Sequence, residues 1–334
     1  MDRYFFQKNN YFLDIENLHM ENPYYGYVSG RLAILEKFIM DQSAYKELIS
    51  SAGVEEMLKL LEDKYGFKAK KSWEDVLNKD WAATYNLVYD LAPKKEIFDI
   101  FFLQYSFHNL KVRLKEKFLG HKTGTPFFET APFISENNYP GLHQLVMNIE
   151  ENFYKEGRFQ DVDCMLDEEY FVLLLEKTEK FKTPLLTSLV KTWIDLANIK
   201  LFFRFKMLGK EKNSLSGFLF HGGNYEERFY PDIYSISPDN LKKEIKNNYY
   251  ADLFFTGIKC LEDLKSMDEL EENCDKFTRK RFNETKHIVY GIEPMIRYLL
   301  RKENEIKILR MIFIGKENNI AENIIEDKIN GYIT

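Results

Sequence analysis

Glycine and proline are scarce in this chain of 334 residues, at 16 and 9. All-β sandwiches and barrels need frequent turn residues, so the shortage favours long helices joined by few loops. Cysteine is scarcer still. Cys164, Cys260 and Cys274 are odd in number and share no CxxC spacing. That argues against a disulfide framework or a zinc knuckle and for reduced thiols in a core. No stretch approaches the roughly 18 apolar residues of a membrane span, and the longest unbroken apolar run is Tyr170 to Leu175. Met1 to Asn10 holds no apolar signal core, which leads us to expect a cytoplasmic chain. Positive charge is also short: the formal net charge is −6, against the basic footprint of a dedicated nucleic-acid binder.

What is present is a soluble, globular composition, 45% hydrophobic and 30% charged. Phe (28) and Tyr (21) supply rings for the interior or for contact surfaces. Helices can be placed by their punctuation. Val54, Met57, Leu58, Leu61 and Tyr65 recur at helical spacing before Gly66. Thr183 and Pro184 open a helix whose stripe runs through Leu189, Trp193 and Ala197 to a stop at Gly209. Ser237-Pro238 reads as a further start, as does Ser266 with Glu269, a capping-box pattern leading Leu270, Cys274 and Phe277 along one face. Pro294 opens a last long helix that should end near Gly315. Thr123 to Pro140 and Phe218 to Pro231 read as non-helical. The expected fold class is all-α.

Self-similarity is the most informative feature. His108-Asn109-Leu110-Lys111 opens a stretch through Arg113, Lys115 and Lys117 to Gly120, and Ala197-Asn198-Ile199-Lys200 opens another through Arg204 and Lys206 to Gly209. In both, the Asn stands 11 positions before the glycine and a Lys three before it. A looser third copy is Glu305-Ile306-Lys307 with Arg310 and Gly315-Lys316. The copies lie about 90 and 107 positions apart, giving helical blocks 1–120, 121–213 and 214–334. Each block would carry an apolar face it cannot bury alone, so three would close around a pseudo-threefold axis into a funnel. The basic residues fall three or four apart, on one helix face beside the apolar stripe. Taken singly, such a face is a solvated surface or a partner for nearby Asp and Glu; its recurrence points to a shared docking or structural role.

Four segments carry a family likeness. They are Tyr25-Gly26-Tyr27-Val28-Ser29-Gly30-Arg31, Phe107-His108-Asn109-Leu110-Lys111, Asp195-Leu196-Ala197-Asn198-Ile199-Lys200 with the following Phe218 to Gly223, and Glu303-Asn304-Glu305-Ile306-Lys307 with Arg310 and Gly315-Lys316. In order, spacing and total length the chain resembles the C subunit of the bacterial and archaeal V/A-type rotary ATPases, the counterpart of the d subunit of eukaryotic vacuolar ATPases. Ser106 departs from the pattern, standing where the family often has Asp. The resemblance implies a funnel-shaped, non-catalytic rotor component without a cofactor, peripheral on the cytoplasmic side of the membrane. It would sit on the proteolipid ring, touch the membrane only through that ring, receive the central shaft (the D and F subunits) and pass torque for H⁺ or Na⁺ transport. Long Lys and Arg side chains suit a body whose symmetry need not match the ring's. The expected partner interface draws on Arg31, Lys111, Arg113, Lys200, Arg204, Lys307 and Arg310.

Catalytic signatures are missing. Gly209-Lys210 and Gly315-Lys316 are each followed by Glu, with no glycine five residues upstream, so neither is a phosphate-cradling loop; both read as helix stops. Gly222-Gly223 reads as a tight turn. The six histidines have no metal-ligand spacing, and His108 reads as a packing residue. Asp161, Asp163 and Asp167-Glu168-Glu169 read as a helix's acidic first turn sooner than as a divalent-ion site. No nucleophile elbow is present. The competing reading is a helical scaffold or RNA-binding protein that uses the same basic faces, and the acidic total counts against nucleic acid.

Overall fold

The computed structural model describes residues 24–67, 72–124, 139–181, 183–263, 266–283 and 285–333. Every regular element among them is a helix, as the shortage of turn residues requires. In chain order these are α1 (Tyr24–Leu35), α2 (Gln42–Ser50), α3 (Val54–Tyr65), α4 (Trp73–Leu91), α5 (Asp99–Leu119), α6 (Leu142–Glu156), α7 (Phe159–Phe181) and α8 (Pro184–Met207). There follow the short α9 (Lys212–Ser216), α10 (Phe229–Tyr234) and α11 (Pro238–Glu244), then α12 (Ala251–Glu262), α13 (Asp268–Asn283), α14 (Glu293–Glu317) and α15 (Glu322–Asn330). Most of the expected loop Thr123 to Pro140, residues 125–138, lies outside the described residues.

The punctuation acts largely as read. Gly66, Gly120 and Gly209 take the left-handed conformation that ends α3, α5 and α8, with φ of 71°, 70° and 61°. Pro184 opens α8, although Thr183 makes no side-chain cap and its hydroxyl turns back to the Phe181 carbonyl. Ser266 accepts the Asp268 amide, whereas Glu269 pairs with Lys259 instead of closing the capping box. Leu270 and Cys274 are buried as expected, and Phe277 is half-buried. Two positions correct the sequence reading. Gly315 does not stop the last helix; it is buried inside α14, where an added Cβ would meet Ile325 Cδ1 of α15 at 2.6 Å. The stop is Asn319, at φ 54°, whose amide bonds the Lys316 carbonyl while the Ile320 amide bonds that of Gly315. Asn tolerates the left-handed region well enough to replace glycine. Pro231 does not lie in a loop but in the first turn of α10, where its missing N–H would have had no helical partner.

The chain divides into two compact units, one from the described residues of Glu96–Cys274 and the other from those of Glu16–Lys95 and Asp275–Thr334. This division follows compactness, whereas blocks 1–120, 121–213 and 214–334 follow sequence likeness, so one does not test the other. In the unit of Glu96–Cys274, α7 packs against α5, α6 and α8, and α8 against α7, α9, α10 and α12. Its interior is a cluster of rings: Phe202, Phe203, Phe254, Phe229 and Tyr230 are all buried, with Phe202 and Phe203 edge-on to Phe254 at 5.9 and 5.6 Å. In the other unit α14 is the axis, packed by α1, α2, α3, α4 and α15. Trp73 stacks on Phe313 at 5.1 Å and donates its indole N–H to Glu317 at 2.7 Å.

Close packing in the ring cluster depends on Gly257 of α12. A Cβ there would fall 2.3 Å from Phe203 Cε2, and that ring is fully buried. Gly257→Ala should therefore destabilise by about 1–3 kcal/mol despite alanine's better helix propensity. Urea unfolding of wild type and variant measures this, and a stabilised variant would show that the ring can yield.

Candidate partner interface

The three recurring helices, α5, α8 and α14, share a feature that the sequence pattern alone does not reveal. Each buries a pair of polar residues three positions apart: Ser106 and Asn109, Asp195 and Asn198, Lys302 and Glu305. Asn109, Asn198 and Glu305 are the aligned residues of the three copies. In α8 and α14 the pair fastens the chain that passes alongside. Asn198 exchanges two 2.8 Å bonds with the backbone of Phe220. Asp195 accepts from the amides of Asn224 and Tyr225 at 3.0 and 3.3 Å, from Asn224 Nδ2 at 2.7 Å and from the Tyr250 hydroxyl at 2.8 Å. Gly222, at φ 87°, makes the turn, and Gly223 lets it pass so close that a Cβ would lie 2.3 Å from the Asp195 carboxylate. The glycine pair is the tight turn expected, and its reason is this carboxylate.

In the other unit Glu305 accepts the Met40 amide at 2.7 Å and pairs with Lys302, which also reaches Asp80 at 2.9 Å. Burial pulls the Lys302 ammonium towards its neutral form, but Glu305 and Asp80 outweigh it and hold its pKa above the ordinary lysine value. In α5 the Ser106 hydroxyl donates to the Phe102 carbonyl one turn back. His108 is half-buried, in keeping with a packing role.

The basic residues divide by environment. Lys111 and Lys115 face α7, pairing with Asp167 at 2.5 Å and Asp163 at 2.8 Å, and Lys117 reaches Glu150 of α6. The acids of α7 are thus partners for α5. Only Asp161 belongs to the first turn of α7, so Asp163 and Asp167-Glu168-Glu169 are not the acidic helix start that was expected. Arg204 pairs with Glu271 at 3.1 Å, and Lys206 folds over the rings of Phe202 and Tyr234. Lys307 pairs with Asp275 and lies over Tyr332. Arg113 is exposed on α5, while Lys200 and Arg310 are half-buried without an ion pair among the described residues. Arg31 is exposed on α1. Of the seven expected residues, Lys111, Arg113, Lys200 and Arg204 belong to the unit of Glu96–Cys274, and Arg31, Lys307 and Arg310 to the other.

The exposed surface also carries rings and aliphatic groups that the basic pattern did not flag. Along α1 and the short helical turn after it (Glu36–Phe38), Tyr24, Tyr27, Ile34 and Phe38 are 43%, 57%, 60% and 73% exposed. With Arg31 they are spaced three, four, three and four apart, the seam of a coiled-coil helix. Val28 and Leu32, on the other side, are fully buried as α1 packs on α14. The period was there to be read, but an apolar stripe in a sequence does not tell which of two faces is covered. Among the described residues, no group of three or more His, Cys, Asp or Glu is placed to hold a metal ion, and no helix is long and apolar enough to cross a membrane.

Comparison with known proteins gives one answer. The model of the ATP synthase (C/AC39) subunit family matches residues 28–328. The C subunit of the A-type ATP synthase of Methanocaldococcus jannaschii is 25% identical, over 89% of this chain and 84% of its own length. That of Methanococcoides burtonii is 22% identical, with 91% and 94% covered. The C subunit of the V-type sodium ATPase of Enterococcus hirae is 20% identical, with 93% and 97% covered.

The Asp195 cage makes a measurable prediction. Burial pushes the Asp195 carboxyl up to about 6, and the bonds from Tyr250, Asn224 and Tyr225 offset only part of that. In the unfolded chain it ionises near pH 4. Between these values the folded protein keeps a proton that the unfolded chain has lost, so this residue's contribution is complete below about pH 4 and declines as pH rises through about 6. The loss is on the order of 3 kcal/mol. The stability difference between wild type and Asp195→Asn, measured by urea unfolding, should shift by that amount in the variant's favour between about pH 4 and pH 7. A difference independent of pH would refute the assignment.

Proposed function

The chain belongs to the ATP synthase (C/AC39) subunit family, and from that membership we propose that it is the non-catalytic coupling component of a rotary ATPase. In this reading it sits peripherally on the cytoplasmic face of the membrane, seats on the proteolipid ring and receives the central shaft formed by the D and F subunits. It carries torque between them for H⁺ or Na⁺ transport. Blocks 1–120, 121–213 and 214–334 would close as a pseudo-threefold funnel, each contributing one of the helices with a buried polar pair. A torque coupler must resist deformation, and long helices with close-packed interiors do so.

The observation that carries this reading is the exposed seam of α1. A helix that buries Val28 and Leu32 while leaving Tyr24, Tyr27, Ile34 and Phe38 in water has a second face fit to take a helix of another protein of the complex. Arg31 at the middle of the seam would fix register against an acidic residue of that partner. Lys200 and Arg310, without an ion pair among the described residues, are the basic residues best placed to add contacts. Lys111, Arg204 and Lys307 are already engaged by carboxylates, which weakens the competing RNA-binding reading as well.

Ile34→Glu and Phe38→Glu alter exposed side chains and should leave the helical circular dichroism intact. Together they should weaken binding to the purified shaft at least about tenfold, as expected for anchors of an interface core. Arg31→Glu alone should slow association and change its salt dependence. Surface plasmon resonance against the shaft and the proteolipid ring tests both. Undiminished binding to both partners by the folded variants would remove α1 from the interface.

A further inference from the structure

The unit built from Glu16–Lys95 and Asp275–Thr334 contains a cavity of about 180 Å³ that the coupling role does not use. Its walls combine three kinds of chemistry. Leu300, Ile308, Met40 and Ile39 form an apolar side. Arg279, Arg297 and Arg301 bring guanidinium groups, and Asp41 brings a carboxylate. Asn304 adds an amide whose two ends differ: Nδ2 donates to the Tyr332 carbonyl at 2.9 Å, which fixes its orientation, while Oδ1 is buried without a hydrogen-bond partner among the described residues. A buried acceptor left without a donor is costly, so this atom calls for an N–H or O–H from a bound molecule.

The guanidinium groups differ in freedom. Arg297 is anchored by Glu36 at 3.2 Å and by the carbonyls of Thr285 and Ile288 at 3.3 and 3.4 Å. Arg279 donates to the Gly331 carbonyl at 2.8 Å and lies 4.8 Å from the Tyr332 ring centroid. Arg301 makes a single ion pair among the described residues, with the far oxygen of Glu36 at 3.3 Å, and its side chain is 42% exposed, so it can turn towards an anion in the cavity. Asp41 spends Oδ1 on the Ala44 amide at the start of α2, leaving its second oxygen as an acceptor. Glu305, on the same helix as Arg301, is already engaged by Lys302 and the Met40 amide. Burial keeps the phenol of Tyr45 protonated, so it adds no charge.

We propose that this cavity binds a small zwitterion, an α-amino acid with a mid-sized apolar side chain. Its carboxylate would meet Arg301 with Arg279 or Arg297 behind it, its ammonium would meet Asn304 Oδ1 and Asp41, and its side chain would lie against Leu300 and Ile308. A plain anion would leave the buried Asn304 Oδ1 without a donor, and a plain amine would make no use of Arg301, the least anchored of the three guanidinium groups. The volume is close: a cavity of about 150 Å³ takes up benzene, so this one encloses about seven non-hydrogen atoms, most of leucine's nine, with the carboxylate left at the side of the half-exposed Arg301. Such a site depends on the cavity alone and would stand whether or not the chain couples a shaft to a ring.

Calorimetric titration of the full chain with three probes tests it: L-leucine, 4-methylpentanoate, which lacks the amine, and 3-methylbutylamine, which lacks the carboxylate. Leucine should saturate below about 10 mM, in keeping with a ligand of this size, with each analogue at least about tenfold weaker. Arg301→Gln should weaken leucine about tenfold, and Lys59→Gln, exposed on α3 and outside the cavity, should leave it unchanged. No saturable binding of leucine, an analogue that binds as well as leucine, or an Arg301→Gln protein with wild-type affinity would each overturn the proposal.

Discussion

A helix covered on most of its circumference has only a narrow solvent face, and a polar residue off that face must be buried. α14 is packed by five other helices, yet it keeps Lys302 and Glu305 in its middle; α8 keeps Asp195 and Asn198 in the same way. Each such group must find its partners inside, because an unanswered buried donor or acceptor costs about 1–3 kcal/mol. Removing one partner of a buried ion pair costs about 3–5 kcal/mol. The partners found are backbone groups of connecting segments: the Met40 amide before α2, and the Phe220, Asn224 and Tyr225 backbone after α9. Apolar packing tolerates many arrangements of about the right volume, whereas a buried carboxylate that bonds two successive amides accepts one. The buried pairs therefore fix where the connecting chain runs.

The chemistry of the pair differs among α5, α8 and α14 while its place stays the same. Ser106–Asn109 is neutral, Asp195–Asn198 carries one acid, and Lys302–Glu305 is an ion pair completed by Asp80. Ser106, where the family often has Asp, makes a local bond to Phe102 and so loses the reach that Asp195 has. What α5, α8 and α14 repeat is the place of the buried polar pair, and in α8 and α14 that place is a joint between a central helix and the chain beside it.

How much of this was legible in the sequence depended on whether the signal was local. Gly66, Gly120 and Gly209 stop helices because a residue at positive φ must have no Cβ or a permissive one, and that need is written at the position itself. Gly315 failed as a stop for the opposite reason: it is glycine because Ile325 of α15 needs the space, a cause that lies ten residues away and is invisible locally. The helical period of the Lys and Arg residues was also local and correct, but whether such a face meets water or acid depends on which helix lies opposite. For α5 that helix is α7, with Asp163 and Asp167. The covered and uncovered faces of α1 were equally hidden, since both are apolar.

The ion pairs that occupy Lys111, Arg204 and Lys307 add little stability, because exposed or half-exposed pairs are worth about 0–1 kcal/mol each. Their consequence is for recognition. A cation already facing a carboxylate must give up that contact before it can serve a partner, so its net gain at an interface is small. The seam of α1 starts from a different position: Ile34 and Phe38 are 60% and 73% exposed, and shedding water from such apolar surface is the larger source of association energy. An apolar seam alone would accept many partners in many registers. On the interface proposed above, Arg31 in its centre would make a misplaced partner leave a charge unanswered, and that would convert a general adhesive face into a selective one.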